Sequence, residues 1–250
     1  EPLVELLGTF AARAWQLGVR TGQMHLALAS HSADTAFTPE PLTLEDQRAL
    51  ADEIRSSGQR AWGLLSAPSS KSVLTSEQLA DFQPLEAVIL QRVEALASQP
   101  VSAEKTRTHG DYHLGQVLNT GDDFVIIDFE GEPLRPLVER KAKRSPLRDV
   151  AGMLRSFHYA AHSGLGQAQD ASELLPWAEA WALVTSRLFL DGWRETTAGA
   201  GFVPKSSDEL RLLLDAYLLE KALYEVAYEL NNRPTWVGIP LRGIASVLRE

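Results

Sequence analysis

His109-Gly-Asp-Tyr-His-Leu-Gly-Gln-Val-Leu118 is a polar loop running into a short apolar segment, and Phe124-Val-Ile-Ile-Asp-Phe-Glu130 follows it across a turn. The turn, Thr120-Gly-Asp-Asp123, is rich in residues that accept sharp backbone bends. Phe124 to Ile127 is aromatic and β-branched between turn residues, which predicts a buried strand. Asp128 and Glu130 stand at its end. A hairpin of this kind lets a loop carboxylate, Asp111, and a strand-end carboxylate, Asp128, face one cleft. One can orient or deprotonate a hydroxyl. The other, with Gln116, offers the oxygen ligands that Mg²⁺ prefers.

An Asp base, a metal-binding amide and a second metal-binding Asp recur in that order in kinase catalytic loops. The stretch resembles the HGDxHxxN…DF signature of the aminoglycoside and choline phosphotransferase superfamily. Several blocks resemble the maltokinases within it: HGDYHLGQVL, DFEGEP, SPLRDVAGMLRSFHYAA (Ser145 to Ala161) and KALYEVAYELNNRPTWVGIPL (Lys221 to Leu241). Maltokinases carry Gln where relatives carry Asn, as at Gln116. The resemblance implies ATP and Mg²⁺ as cofactors. It also implies phosphorylation of maltose at the anomeric hydroxyl, with maltose 1-phosphate feeding α-glucan (glycogen) synthesis. A trehalose synthase, fused or associated, is the implied partner.

Composition sets outer bounds. The chain has 250 residues, of which 44% are apolar, enough for a sizeable core. Its net charge of −9 argues against general nucleic-acid affinity, which needs a Lys/Arg-rich face. No cysteine is present, which excludes disulfides and suits the cytoplasm. No apolar run approaches the roughly 18 residues of a membrane helix, so no membrane partner is expected.

Along the chain, helical periodicity dominates. Leu3, Leu6, Leu7, Phe10, Ala11, Ala14, Trp15 and Leu17 share one period, with Gly18 as a bend or stop and Met24 to Ala29 packed behind. Thr43, with Asp46 three residues on, predicts a helix start. Thr75 or Ser76 caps a further helix, bent at Pro84, to about Ser98. Gly131 to Pro136 is non-helical, and Val138 to Arg144 is a basic stretch at the cleft mouth. Helices are expected at Leu147 to His162, Glu173 to Trp193, Asp208 to Leu230 (capped by Ser206 or Ser207) and Ile239 to Leu248. Ser163 to Gln167 is expected as a flexible loop and Thr196 to Pro204 as loose. The fold class is therefore mainly α with a small β-hairpin. Residues 1–105 read as a helical subdomain leading into 106–250, which carries the catalytic loop, metal strand and substrate helices.

The candidate residues divide by chemistry. Asp111 is the candidate base, against a plain turn-forming Asp after Gly110. Gln116 and Asp128 are the metal candidates, and Glu130 is either a further ligand or a solvated carboxylate. His109, Asp111 and His113 are ligand types at close spacing, but no second His group follows to complete a zinc site. His109 and His113 are better read as fixing the loop through hydrogen bonds to backbone or to Asp149. Resemblance to kinases implies that Leu118 and Ile127 floor the adenine site, or they are plain core. The same resemblance implies that Asp149 braces the catalytic loop backbone. Most of Arg135, Arg140, Lys141 and Arg144 read as a solvated face. Lys221, Tyr224, Glu225 and Tyr228 fall on one helical face, spaced for hydroxyl partners and aromatic surfaces of a sugar site, with Trp236 just beyond. The other reading of that face is an exposed surface with half-buried tyrosines.

The first hundred residues contain no glycine-rich loop between strands. Together with the resemblance, this makes the chain look like the C-terminal lobe of a protein-kinase-like, aminoglycoside phosphotransferase-like fold. The N-lobe would then be absent or supplied by a partner. An opening at Glu1 within a periodic apolar pattern fits a start that was lost or cut. On that expectation the chain alone has little kinase activity. Two rivals stand beside it: another small-molecule kinase acting on an aminoglycoside or amino alcohol, and a non-catalytic module of a trehalose synthase complex.

Overall fold

The structure is a computed structural model. It describes residues 8–30, 34–67, 70, 74–75, 79–80, 82–133, 135–165 and 171–249. Helices α1 (Thr9–Leu28), α2 (Leu44–Leu65), α3 (Leu85–Ser98), α4 (Leu137–Lys141), α5 (Leu147–Leu165), α6 (Ala171–Thr196), α7 (Ser207–Asn232) and α8 (Gly238–Arg249) dominate. Strands β1 (Glu40–Pro41), β2 (Glu104–Lys105), β3 (Val117–Asn119) and β4 (Phe124–Ile126) are short. The chain divides into two compact units that interleave in sequence. One joins the segment up to Pro41 to Ala103–Pro204, and the other joins Leu42–Ser102 to the segment from Lys205 onward.

In the first unit α6 packs on both α1 and α5. The α1–α6 crossing explains why Gly18 stands inside α1 without ending it. A Cβ at Gly18 would lie 2.0 Å from the Phe189 carbonyl oxygen, and one at Gly192 would lie 2.2 Å from that of Trp15. Glycine here permits close backbone approach between helices rather than a turn. Behind the crossing lie Leu17, Met24, Val150, Met153, Phe157, Phe189, Trp193 and Phe202, all buried. β1 pairs antiparallel with β2, Glu40 opposite Lys105, and β3 with β4 in the register Val117↔Ile126, Leu118↔Val125, Asn119↔Phe124.

The hairpin departs from the expected buried strand. Leu118 and Val125 form a cross-strand pair that is 51% and 47% exposed, and Phe124 and Ile126 are only half-buried. Alternation across a two-stranded ribbon puts every second side chain on an outer face. The hairpin is held by polar contacts instead. The Arg20 guanidinium donates to both Asp123 carboxylate oxygens, at 2.7 and 2.9 Å, Gln16 donates to the Asp122 carbonyl, and Arg13 lies over the Phe124 ring.

Thr196 to Pro204 is packed rather than loose. The Thr197 hydroxyl donates to the Trp193 carbonyl at 2.8 Å, Phe202 is buried, and the Gly201 carbonyl accepts from Glu104 N–H. Ser163 to Leu165 continues α5, and the remainder of that expected loop lies outside the described residues. So do Leu3, Leu6, Leu7 and Ser76.

In the second unit α2, α3, α7 and α8 enclose a core that includes Ile54, Val93, Leu96, Leu219, Leu223, Val226 and Leu241. Thr43 and Ser206 each form a full capping box, with Asp46 and Glu209. α3 begins after Pro84, its N-cap, and a turn at Gln83 and Pro84 separates it from the helical residues Leu79, Ala80 and Phe82. The buried Gln47 amide closes the other end of α3. It donates to the Leu96 and Gln99 carbonyls and accepts from Val101 N–H.

Two glycine substitutions should separate close approach from freedom. Gly18→Ala is expected to destabilise the protein by about 1–3 kcal/mol or more, because helix backbone must move. Gly63→Ala, at an exposed α2 site with nothing within 4 Å of its Cβ, is expected to stabilise by about 0.5–1 kcal/mol. Urea unfolding of both variants checks the pair.

Candidate functional site

The loop before β3 is shaped by one buried carboxylate. Asp149, early in α5, accepts from His109 N–H at 2.7 Å through Oδ2 and from Gly110 N–H at 2.9 Å through Oδ1. His25 Nε2 also lies 3.2 Å from Oδ2. Burial alone would push the Asp149 carboxyl up. The hydrogen bonds from His25 and from the Gly110 N–H outweigh it and hold the group below the usual carboxylate range. Gly110 has φ +88°, a left-handed conformation that favours glycine.

The other loop residues are fixed one by one. His109 Nε2 lies 2.8 Å from the Ile127 carbonyl, and its Nδ1 faces the Asp111 N–H at 3.4 Å. A carbonyl only accepts, so the ring proton is on Nε2 and Nδ1 is the acceptor. His109 sits against Tyr112 and Phe129, at ring separations of 5.2 and 4.9 Å. Tyr112 is buried, which pushes its phenol above the ordinary value, although the Thr21 hydroxyl 2.8 Å away works in the opposite direction. His113 Nδ1 accepts from Gly115 N–H, closing the 3-10 turn Leu114–Gln116, and Ser156 on α5 accepts from Leu114 N–H. With both rings engaged in this way, the zinc reading has no support. Among the described residues no group of three or more His, Cys, Asp or Glu could hold a metal ion.

This bracing leaves Asp111 half-buried at the loop tip. Gln116 and Asp128, apart in sequence, meet: the amide donates to Asp128 Oδ2 at 2.9 Å. Asp128 has φ 65°, the only positive φ of a non-glycine residue among those described. Such a conformation costs about 1–3 kcal/mol and gathers at functional sites. Glu130 is exposed beyond it, and its carbonyl accepts from Arg140. Leu118 is exposed on β3 and Ile127 is half-buried after β4. Of the basic stretch, Arg135 pairs with Glu132 at 2.8 Å and the Lys143 ammonium with Glu40.

Lys221, Tyr224, Glu225 and Tyr228 belong to the second unit. Lys221 Nζ stands 5.5 Å from the Tyr224 ring centre, Tyr224 and Tyr228 stack at 6.4 Å, and Arg233 lies over both Tyr228 and Trp236. Arg233 is locked by two hydrogen bonds to Glu229, at 3.0 and 2.6 Å. Glu225 is buried rather than displayed. The sequence reading missed Glu229 and Arg233 here, and missed His25 and Trp193 behind the loop. Only the Glu229–Arg233 pair, at helical i, i+4 spacing, carried a local signal.

No protein-family model matches the chain. It is 28% identical over 237 residues to a glucosamine kinase of Streptacidiphilus jiangxiensis, covering 95% of this chain and 49% of that protein. It is 29% identical over 244 residues to a glucosamine kinase of Mycolicibacterium smegmatis, covering 94% and 53%. Among solved structures, a glucosamine kinase superposes with a TM-score of 0.72 at 26% identity, over 95% of this chain and 53% of that one. A glucosamine kinase in complex with glucosamine, ADP and inorganic phosphate gives the same TM-score and identity, over 96% and 55%. The chain thus spans about half the length of the curated relatives it matches.

These relatives overturn the maltokinase expectation, and with it maltose as acceptor, maltose 1-phosphate as product, the link to glycogen synthesis, and trehalose synthase as partner. The motifs behind that expectation do not by themselves choose an acceptor, because one fold carries sites for many substrates. Among the described residues no helix is long and apolar enough to cross a membrane.

Asp149→Asn is expected to cost about 1–3 kcal/mol of stability, because the amide nitrogen cannot accept the backbone N–H that a carboxylate oxygen accepts. The pH dependence has a defined sign. A carboxyl depressed in the folded state contributes stability that is present above its unfolded pKa and lost on acidification. Wild type should therefore lose stability more steeply than Asp149→Asn below about pH 4. Urea midpoints across the acid range check both expectations.

Proposed function

We propose that this chain carries the phosphoryl-transfer loop of an ATP- and Mg²⁺-dependent kinase whose acceptor is glucosamine or a closely related amino sugar. The observation that carries the kinase reading is the meeting of Gln116 and Asp128 beside the backbone-braced loop of Asp111. Similarity to glucosamine kinases along nearly the whole chain supports the acceptor. A kinase-like fold and a cytoplasmic setting, where ATP is available, go with this reading.

The residues fit the metal. Mg²⁺ takes oxygen ligands, keeps several waters, and is held by one or two carboxylates plus substrate phosphates rather than by an all-protein cage. Asp128 and the Gln116 amide oxygen are the donors, and Glu130 is a further one at the exposed strand end. When bound, the ion neutralises charge on the ATP phosphates. Asp111 orients the acceptor hydroxyl and takes its proton as the bond to phosphorus forms. His109, His113 and Asp149 hold the loop that carries it. Leu118 and Ile127 offer apolar surface to the adenine base. Lys221, Tyr224 and Tyr228 are a sugar-binding face on their own unit, of which the buried Glu225 is not part.

The test is ATP-dependent turnover of the full-length protein with glucosamine, maltose, an aminoglycoside and choline, with products identified by mass spectrometry. Glucosamine should give the highest kcat/KM. Asp111→Asn should lower kcat by about 10²–10⁴-fold. Preference for maltose or choline would overturn the acceptor assignment, and an active Asp111→Asn variant would overturn the base. Asp128→Ala should raise the Mg²⁺ concentration needed for half-maximal rate, and an unchanged requirement would remove it from the metal site.

A further inference from the structure

A chain of directional bonds lies behind the Asp111 loop. Trp193 Nε1 is 2.9 Å from His25 Nδ1. An indole N–H can only donate, so this imidazole nitrogen must accept. The ring proton then sits on the opposite nitrogen, Nε2, which faces Asp149 Oδ2 at 3.2 Å. Trp193 thereby sets the tautomer of His25, and the tautomer sets a donor against the carboxylate. Asp149 passes the constraint to His109 N–H and Gly110 N–H, and Asp111 is the next residue.

The surroundings leave the imidazole little freedom. His25 and Trp193 are fully buried, and Phe202, also buried, meets His25 edge-on at 6.4 Å. The three elements involved are far apart in sequence, Asp149 standing 124 positions after His25 and Trp193 standing 168 positions after it. An apolar side chain could fill the same volume. It would leave the buried Asp149 short of a donor and the Trp193 N–H without an acceptor, and both losses are costly.

We propose that His25 and Trp193 are positioning residues for phosphoryl transfer: through Asp149 they hold the His109–Gly110 backbone so that Asp111 meets the acceptor hydroxyl. The inference rests on the reading of Asp111 as the base. It predicts an effect on the chemical step rather than on binding, because neither residue touches substrate. Small misplacements of a reacting group are expensive; about 1 Å can cost about 10²-fold.

The experiment is steady-state kinetics of the full-length protein with His25→Leu, His25→Gln, Trp193→Phe and Asp111→Asn, joined to heteronuclear NMR of the wild-type His25 ring. His25→Leu and Trp193→Phe should lower kcat by about 10–100-fold with both KM values within about two-fold. His25→Gln, whose amide can still donate to Asp149, should recover kcat to within about five-fold of wild type. Unchanged kcat in His25→Leu, or equal loss in the Leu and Gln variants, overturns the proposal. Should the Leu variant not fold, the wild-type ring decides: the Nε2–H tautomer supports the relay and the Nδ1–H tautomer overturns it. If Asp111→Asn turns over normally, the base reading itself has failed. If Asp111→Asn is inactive while His25→Leu is normal, only the relay has failed.

Discussion

The Asp149 carboxylate is the constraint on which the site depends. Removing a carboxylate from water costs several kcal/mol, and Asp149 is almost wholly buried. Folding can tolerate that cost only if the charge is fully engaged. Here both oxygens are used, by two consecutive backbone N–H groups and one imidazole. The loop is therefore not free to adopt other conformations while α5 is in place, since any departure strands a buried charge. A loop secured by one carboxylate can present its next residue, Asp111, in a single orientation, and the phosphoryl transfer proposed above would depend mainly on such positioning.

The rest of the first unit serves this arrangement. The Gly18–Gly192 crossing lets α1 and α6 approach closely, and the same two helices supply His25 and Trp193. Thr21, one turn before His25, meets the Tyr112 hydroxyl. Gly152 on α5 has no room for a Cβ, which would lie 2.5 Å from the Tyr112 carbonyl oxygen. The loop is thus gripped on both sides of Asp111, by Asp149 before it and by Tyr112 after it. The strained φ of Asp128 completes the pattern. It sits where β4 ends and its carboxylate turns to Gln116.

Much of this could be read from residue types in local patterns. The capping box at Thr43 was legible because capping depends on residues three apart, and of the two serines offered for α7 it is Ser206 that caps. The hairpin and its polar loop were legible for the same reason. What escaped the reading was set by distant chain. Gly18 looks like a helix stop until Phe189 is placed against it. Thr196 to Pro204 looks loose by composition until Phe202 and Thr197 find their partners in the core. Phe124 to Ile127 has strand residues, but how deeply they are buried depends on what covers them. His25 lies in an apolar helical run with no motif around it, so nothing local marks it. The acceptor was misread for a different reason. A short polar motif of this kind carries no information on the acceptor, because side chains that choose a substrate obey no comparably strict geometry.

The most direct test of the proposed site is a crystal structure of the full-length protein with ADP, Mg²⁺ and glucosamine. A metal ion should be ligated by Asp128 and the Gln116 amide oxygen, at about 2.0–2.1 Å. A sugar hydroxyl should lie within about 2.6–3.2 Å of the Asp111 carboxylate, with His109 and Gly110 still bonded to Asp149. A metal held elsewhere, or a sugar bound with no hydroxyl near Asp111, would contradict it.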